Sequence, residues 1–323
     1  MLQPLISVLM SAYNEPIEYV RQAVSSIVEQ TYNNLEFVIV CDKPDNEPLI
    51  SYLSECARKD QRIKLIINKE NIGLAMSLNR ALSAASGEYI ARMDADDISK
   101  PHRLEKELEY LRSNKLDIVG CSVEKIDDAG KVWGEIRRYS DKPEAYARLL
   151  TVQNVLVHPS VMMRQEVIRS VNGYRNFPSC QDYDLWLRLL SKGYRFGVTD
   201  EILFQFRRHQ NSITATRRYG QFLNESYIRK LYGEREKSGG SDSFSEAKLK
   251  EYLTENGFYN KEQSDRQNNL LIQYNRGISD IKKKRIGSGM IEVFSSLRSK
   301  AVRKNISTTM KSKKIRKEYS ERQ

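Results

Sequence analysis

The stretch GEYIARMDADDISKP, residues 87–101, places three aspartates within four consecutive positions. The residues before the aspartates suit a pleated, buried surface, which predicts a strand that opens with Gly87. The residues after them continue in helical period as HRLEKELEYL, and Ser99 and Pro101 are typical of the start of a helix. We therefore expect three like charges where a strand passes into a helix, although each charge makes ionisation of the next more costly.

The first 122 residues alternate between strand and helix patterns. The strand patterns are apolar, and the segments between them carry apolar residues at helical spacing. Such alternation predicts an α/β fold, in which a mostly parallel sheet is flanked by helices on both faces. Ligands in these folds bind outside the carboxyl ends of the strands, so the aspartates lie at the expected functional edge. The predicted strands are LISVLMSA, LEFVIVC, IKLII, EYIARM and LDIVGCSV.

The composition favours a folded protein without a membrane span. Hydrophobic residues make up 40% of the 323 positions, which is enough for a substantial core. No run of about 18 apolar residues occurs, and the N-terminus lacks the basic region and cleavage site of a signal peptide. The four cysteines are far apart and form no C-x-x-C pair, which indicates a reduced, cytosolic protein without a zinc site or a disulfide framework.

The charge is distributed unevenly along the chain. Residues 281–323 contain 14 Lys or Arg and 3 Glu, whereas residues 1–280 are neutral, so the tail holds the whole net charge of +11. This asymmetry predicts a neutral catalytic or binding domain with a basic attachment. The Gly/Ser-rich segment EKSGGSDSFSE, residues 236–246, indicates a linker or an exposed loop. We expect a first domain at 1–215, a helical extension at 216–280 that contains this loop, and the basic tail at 281–323.

The aspartates themselves indicate a metal site. Residues two apart in a strand point to the same side, so Asp94 and Asp96 could converge on one ligand. Mg²⁺ and Mn²⁺ favour oxygen ligands and are commonly completed by substrate phosphates. The alternative is that the acidic residues only begin the next helix, where the helix dipole favours them. Their position directly after a buried strand favours the metal.

Five blocks of sequence, in this order, resemble a family 2 glycosyltransferase with the GT-A fold, which is Rossmann-like. The blocks are SVLMSAYNEP, FVIVCDKP, NKENIGLAMSLNRAL, SGEYIARMDADD and QDYDLWLRLLSKGY. The similarity covers residues 4–215, about two thirds of the chain. The resemblance implies a nucleotide-diphospho-sugar donor, a divalent metal (Mn²⁺ or Mg²⁺) and transfer with inversion at the anomeric carbon.

The resemblance also implies a set of residues around the nucleotide. Ala12, Tyr13 and Glu15 would border the base after the first strand. Asp42 would accept a hydrogen bond from the base, which suits the imide N–H of uracil and favours a UDP-sugar. The alternative for Asp42 is an aspartate that starts a turn before Lys43. This chain has CDKPDN where the family often has VDDGSTD.

Further residues follow from the same resemblance for the metal and the diphosphate. Asp94 would lie near the ribose and the metal, Asp96 would be the main ligand, and Asp97 is a weaker candidate. His209 would complete the metal site or contact phosphate, and its alternative is a structural histidine.

The block NKENIGLAMSLNRAL, residues 68–82, would serve the phosphates. Asn71 and Gly73 lead into a helix whose N-terminal amides could face the diphosphate, and Arg80 on that helix could reach the same groups. The alternatives are an ordinary cap and turn for Asn71 and Gly73, and a surface pair for Arg80.

Inversion requires one general base that takes the proton of the acceptor hydroxyl. The resemblance places this base at Asp182 in QDYDLWLRL, where Gln181 replaces the Glu that is usual in the family. The alternative is that Asp182 caps the helix YDLWLRLL.

The tail is expected to contact a membrane. Met290, Ile291 and Phe294 have loose helical spacing, and clustered Lys and Arg residues lie between and after them. Such a segment can lie in a membrane interface and is attracted to an anionic cytoplasmic leaflet. The alternatives are a solvated tail and nucleic-acid binding, but no nucleic-acid module accompanies the basic residues, so sequence-specific nucleic-acid binding is not expected.

The sequence therefore predicts an enzyme that adds one sugar to a glycan or lipid-linked acceptor in cell-surface polysaccharide biosynthesis, such as capsule or O-antigen. Single transfer is preferred because this chain lacks the transmembrane helices and Q-x-x-R-W motif of processive members. We expect it in the cytoplasm, at the inner face of the membrane, and the region after 216 could supply a dimer surface. One rival is a sugar nucleotidyltransferase, but SAYNEP is not the Gly-rich loop it would need. The other rival is a membrane- or nucleic-acid-binding protein that acts through its tail.

Overall fold

The computed structural model of the chain describes residues 3–208 and 218–320. The chain divides into two compact units. The first unit contains Met1–Ala147, Val155–Asn176 and Arg188–Arg208. The second unit contains Arg148–Asn154, Phe177–Leu187 and His209–Gln323.

The first half of the first unit has the predicted alternation of strands and helices. Strands β1 to β4 are parallel in the order β3-β2-β1-β4, and every residue of β1 and β2 is buried. The strands are β1 (Ile6–Ala12), β2 (Leu35–Cys41), β3 (Ile63–Ile67) and β4 (Tyr89–Asp94), and the helices that connect them are α1 (Ile17–Val28), α2 (Glu47–Lys59) and α3 (Leu74–Ala84).

The second half extends the same sheet with mixed strand directions. Strand β8 lies antiparallel between β4 and β6, and β9 runs parallel to β6. Within residues 3–208 and 218–320, nine strands form one sheet, which confirms the α/β class. The remaining strands are β5 (Ile98–Ser99), β6 (Ile118–Ile126), β7 (Val132–Ile136), β8 (Met162–Arg164) and β9 (Phe196–Arg207). The helices along this part of the chain are α4 (Arg103–Ser113), α5 (Pro143–Leu150), α6 (Gln165–Arg169) and α7 (Gln181–Ser191), of which α5 ends and α7 begins in the second unit.

The predicted helix start at Ser99 is wrong. Ser99 lies in β5, which pairs with β9, and helix α4 begins only at Arg103. The side chain of Gln30 provides the cap instead, since its Oε1 atom accepts a hydrogen bond of 3.1 Å from the backbone N–H of Leu104. A residue from another part of the chain thus satisfies a helix terminus that the local pattern assigned to a serine.

Glu36 ties the amino ends of the strands together. Its buried carboxylate accepts hydrogen bonds from the hydroxyl of Ser7 (2.5 Å) and from the backbone N–H (2.6 Å) and hydroxyl (2.9 Å) of Ser86, and it pairs with Lys64 at 2.5 Å. Burial alone would raise the pKa of Glu36, but Lys64 and these hydrogen bonds lower it to about 2. Gly87 is required beside this cluster, because a Cβ atom there would lie 2.6 Å from the Ser7 hydroxyl.

The second unit is helical over its C-terminal part. Helices α9 and α10 have side-chain caps, from Ser245 and Asn260 respectively. No helix in the described part of the chain is long and apolar enough to cross a membrane. The helices are α8 (Arg218–Ser238), α9 (Glu246–Glu255), α10 (Lys261–Lys282), α11 (Ile286–Ser296) and α12 (Lys300–Ser320).

Candidate active site

The register of the parallel strands brings their carboxyl ends to one edge of the sheet. Ala12 of β1 lies opposite Cys41 of β2, and Ser11 lies opposite Asp94 of β4. Cys41 lies opposite Ile67 of β3. The polar residues that follow these strands therefore share this edge, as the sequence predicted.

The acidic loop, Asp94–Asp97, forms the centre of this edge. Carboxylate oxygens of Asp94, Asp96 and Asp97 lie within 4.8 Å of one another. Asp97 is fully buried, whereas Asp94 and Asp96 are half-buried. Three carboxylates at this separation repel one another unless a cation joins them, and an all-oxygen set suits a hard divalent cation.

Asp97 carries the clearest sign of an unmet interaction. Its Oδ1 atom accepts a hydrogen bond of 2.7 Å from the backbone N–H of Arg207, but its Oδ2 atom is buried and has no hydrogen-bond partner in the described ranges. Burial raises the pKa of Asp97 well above its usual range, and the charges of Asp96 and Asp94 raise it further. A buried carboxylate oxygen without a hydrogen-bond partner costs free energy. The loop is therefore better explained as a cation site than as a purely structural turn.

Arg92 partly neutralises the acidic loop from inside the sheet. It is buried in β4 and forms an ion pair with Asp94. Burial raises the pKa of Asp94, Arg92 opposes this increase, and Asp96 adds to it. Burial lowers the pKa of His158 well below its usual range, and the positive charge of Arg92 lowers it further. The buried ring of His158 lies with its Nε2 atom 2.9 Å from the hydroxyl of Tyr174.

Arg207, at the end of β9, holds the acidic loop in place. Its Nε atom donates to the backbone carbonyl of Asp96 (2.8 Å), and its Nη1 atom donates to that of Asp127 (3.0 Å). Its Nη2 atom donates to the side chain of Gln22 (2.7 Å), and its guanidinium lies 4.2 Å from the centre of the Tyr19 ring. The sequence analysis missed Arg207. The signal for it was an arginine at the end of the apolar run ILFQF.

Asp42 is engaged mainly by its own neighbours. One carboxylate oxygen accepts hydrogen bonds from the side chain of Asn68 (2.6 Å) and the backbone N–H of Ile72 (2.9 Å). The other oxygen accepts one from the backbone N–H of Gly73 (2.9 Å). Asp42 therefore shapes the loop before α3, which is a role that the sequence patterns did not indicate.

The loop before α3 is built around its own polar groups. Asn71 accepts a hydrogen bond of 2.9 Å from the backbone N–H of Gly73, whose φ of +81° favours glycine. Arg80 donates to the side-chain carbonyl of Asn68, and Asn68 in turn donates to Ser77 (2.9 Å). Arg80 is thus held at the carboxyl end of β3, beside the first turn of α3.

The residues after β1 form the other side of this edge. Ala12 is buried, and its carbonyl accepts a hydrogen bond of 2.8 Å from the backbone N–H of Asp42. Glu15 accepts one of 2.7 Å from the backbone N–H of Tyr13. Burial raises the pKa of Glu15, and the charges of Asp96 and Asp94 contribute to the increase. Tyr13 is exposed.

Asp182 lies in the second unit, within the first turn of α7. Because α7 already begins at Gln181, the alternative that Asp182 precedes the helix as its cap is wrong. The side chain of Asn154 donates a hydrogen bond of 2.6 Å to the Oδ2 atom of Asp182. This bond fixes one oxygen of the carboxylate.

A second carboxylate, Glu225 of α8, accompanies Asp182 in this unit, and the sequence analysis missed it. Burial raises the pKa of Glu225, its ion pair with Arg229 at 3.2 Å opposes this, and the charge of Asp182 adds to the increase. Asn224 of the same helix donates to the Ser179 hydroxyl at 3.1 Å, which fastens α8 near Asp182.

His209, the remaining predicted site residue, lies outside the residues that the structure describes.

A parallel sheet with an acidic loop at its carboxyl edge is an arrangement that glycosyltransferases use, and comparison with known proteins places the chain among them. The sequence model of the family named "Glycosyl transferase family 2" matches residues 7–171, slightly more than half of the chain. The O-antigen biosynthesis glycosyltransferase WbnJ of Escherichia coli is 33% identical over 210 residues, which are 64% of this chain and 81% of the relative. The chain belongs to glycosyltransferase family 2, which confirms the predicted family.

Two solved structures share the fold. TarS 1-349 of S. aureus, in complex with UDP-GlcNAc, matches with a TM-score of 0.57 and 16% identity over 98% of this chain and 92% of that chain. The mannosyltransferase PcManGT from Pyrobaculum calidifontis, in complex with GDP-Man and Mn²⁺, matches with a TM-score of 0.57 and 16% identity over 96% of this chain and 85% of that chain. The likeness confirms the predicted GT-A architecture.

Proposed function

We propose that this glycosyltransferase is inverting and metal-dependent, and that it transfers a single sugar from a nucleotide-diphospho-sugar to an acceptor hydroxyl. The observation that carries the proposal is the acidic loop, in which a buried oxygen of Asp97 has no hydrogen-bond partner in the described ranges. The complexes of TarS with UDP-GlcNAc and of PcManGT with GDP-Man and Mn²⁺ support the donor class and the metal.

The acidic loop would hold the cation. Asp94, Asp96 and Asp97 supply oxygen ligands, and His209 is a further candidate. When bound, Mn²⁺ or Mg²⁺ neutralises the negative charge that develops on the leaving diphosphate. Arg207 contributes by fixing the backbone of the loop, and Arg92 contributes by limiting the repulsion within it.

The donor would bind along the same edge. Tyr13 offers an exposed ring for the base, and Lys43 lies 5.6 Å from the centre of that ring. Ala12 and Glu15 border this position. Asp42 accepts three hydrogen bonds within the protein, and its carboxylate oxygens have capacity for a further one, which the base would donate. We favour a UDP-sugar.

The diphosphate would lie against the start of α3. The loop that contains Asn71 and Gly73 presents the first amides of this helix, and a helix N-terminus attracts anions. Arg80 adds a positive charge beside it.

Asp182 would act as the general base that takes the proton from the acceptor hydroxyl. Asn154 orients the carboxylate through its hydrogen bond of 2.6 Å. A positioned base of this kind typically contributes about 10²- to 10⁴-fold in rate.

The acceptor would be a glycan or a lipid-linked glycan of a cell-surface polysaccharide, such as capsule or O-antigen. The similarity to an O-antigen biosynthesis glycosyltransferase supports this class of acceptor. A lipid-linked acceptor would place the enzyme at the cytoplasmic face of the membrane, with the basic tail at 281–323 toward anionic lipid.

The first experiment measures release of nucleotide diphosphate from a panel of nucleotide sugars, with Mn²⁺ or Mg²⁺ and without acceptor. Binding of UDP with and without metal is measured by calorimetry on the same sample. We expect metal-dependent release or binding with one nucleotide. The variant Asp182→Asn should keep metal-dependent UDP binding but lose about 10²- to 10⁴-fold in transfer once an acceptor is known.

Glu55→Gln is the matched control, because Glu55 is an exposed carboxylate on α2 whose ion pair, with Lys59 (2.5 Å), involves no residue of the proposed donor site. It should change neither property. If neither hydrolysis nor metal-dependent nucleotide binding appears with any donor, the proposed donor and metal are wrong.

A further inference from the structure

Helix α11 exposes an apolar face. Four large side chains on this helix, Ile286, Met290, Ile291 and Phe294, are 44% to 71% exposed. Counted from Ile286, the other three follow at four, five and eight positions, so all four share one side of the helix. Exposed apolar residues that occur singly need no explanation, but four on one short helix mark an interaction surface.

The opposite side of α11 is fixed against α10. A Cβ atom on Gly289 would lie 2.7 Å from the carbonyl oxygen of Gly277, so the two helices approach closely at this pair of glycines. Gln273 donates to the Ser295 hydroxyl at 2.9 Å, and an ion pair joins Arg276 to Glu292. These contacts determine the rotation of α11, so its apolar face cannot turn toward α10.

Exposed cations flank α11 along the chain on both sides. Lys282, Lys283 and Lys284 precede α11, are exposed, and form no ion pair within the described part of the chain. Arg298 and Lys300 follow the helix and are exposed as well. The acidic residue of α11, Glu292, is engaged by Arg276 on the side toward α10.

We propose that the apolar face of α11, with its bordering cations, docks on an anionic lipid bilayer. The apolar side chains would enter the interface and the lysines would contact lipid phosphates. A second copy of the chain fits less well, because cations flank α11 on both sides, so a symmetric contact would bring cations of one copy against cations of the other in either helix direction. Nucleic acid also fits less well, because three of the four apolar side chains are aliphatic and offer bases no aromatic ring to stack on.

The geometry determines how the helix would lie. Eleven residues of α-helix extend about 16 Å, which is about half of the hydrocarbon thickness of a bilayer. The helix therefore lies in the plane of the membrane. This inference rests on the proposed function, because a lipid-linked acceptor lies at a membrane. It adds the surface by which the enzyme would reach that acceptor.

The test uses the full-length protein and vesicles of phosphatidylcholine, with or without phosphatidylglycerol. We expect binding to the anionic vesicles that weakens as salt is raised, because salt screens the lysines. Ile291→Gln combined with Phe294→Gln should lower the affinity at least about tenfold, since two large side chains would no longer leave water. Replacement of the lysines at 282–284 by Gln should weaken the salt dependence, because it removes three of the cations that flank α11.

Met310→Gln is the matched control, because Met310 is 66% exposed but lies on α12, outside the apolar face. It should leave vesicle binding unchanged, and circular dichroism should show equal helix content in all variants. Unchanged vesicle binding in the Ile291/Phe294 variant would overturn the inference. So would a loss of self-association or of nucleic-acid binding in its place.

Donor hydrolysis without vesicles separates this inference from the proposed function. A protein that hydrolyses its donor but ignores anionic vesicles contradicts only the membrane inference. A protein that binds vesicles but neither hydrolyses nor binds any donor contradicts only the proposed function.

Discussion

Glu36 and Asp97 are carboxylates buried in the same unit, near opposite ends of its parallel strands. Their surroundings shift their pKa values in opposite directions. Glu36 receives hydrogen bonds from Ser7, Ser86 and Gly87 and a salt bridge from Lys64, and its pKa falls to about 2. Asp97 receives one backbone hydrogen bond, and its pKa rises well above the usual range because it is buried beside like charges.

This difference in surroundings shows which of the two carboxylates is structural. Donors from three separate segments converge on Glu36, so its burial stabilises the fold. The burial of Asp97 is only partly compensated by the described residues, which a protein tolerates mainly where a ligand completes the site.

The largest expected effect tests the acidic loop. Asp96→Asn should lower metal-dependent turnover of the donor by about 10²- to 10³-fold, because it removes one of the three clustered negative charges that would hold the charge-stabilising cation. The measurement is initial rate against Mn²⁺ concentration. Its unfolding temperature without metal should stay close to that of the unmodified protein, which shows that the loss is not one of folding. Turnover that survives this substitution would assign the metal to other residues.

Glu36→Gln should destabilise the fold by about 2 to 3 kcal/mol, because it breaks the ion pair with Lys64 and leaves buried donors without an acceptor of equal strength. Urea unfolding at neutral pH measures this. The stabilisation from Glu36 is present above pH 4.5 and is lost as pH falls toward about 2, since its pKa is lowered in the folded state.

The Glu36→Gln variant should therefore lose less stability than the unmodified protein as the pH falls from 4.5 to about 2. Glu47→Gln provides a control, because Glu47 is an acidic residue in the exposed first turn of α2. Equal acid sensitivity of the Glu36 variant and the unmodified protein would show that Glu36 is not the group that titrates.

The smallest expected effect has the opposite sign. Asp97→Asn should stabilise the metal-free protein by about 1 kcal/mol, because it removes a buried negative charge beside two others. Thermal unfolding measures this, and added Mn²⁺ should stabilise the variant less than it stabilises the unmodified protein. A loss of stability as large as that of Glu36→Gln would mean that Asp97 is structural too, and the contrast between the two carboxylates would disappear.

The sequence predicted the first four strands and the edge they form for a clear physical reason. A buried strand and an amphipathic helix each leave a local periodic pattern, and parallel strands must end at the same edge. The positions of Asp94, Asp96 and Asp42 at that edge followed from these patterns alone. The roles of Asp42 and Arg80 did not, because their hydrogen bonds to the loop before α3 join residues that no pattern connects.

The sequence by itself thus determined the α/β class, the acidic edge and the separation of a neutral body from a basic tail. The tertiary structure alone decided that Gln30 rather than Ser99 caps α4, and that Glu225 accompanies Asp182. It also decided that Arg207 holds the acidic loop from a position 111 residues away. These contacts depend on where distant segments meet in space, and local periodicity carries no record of such distances.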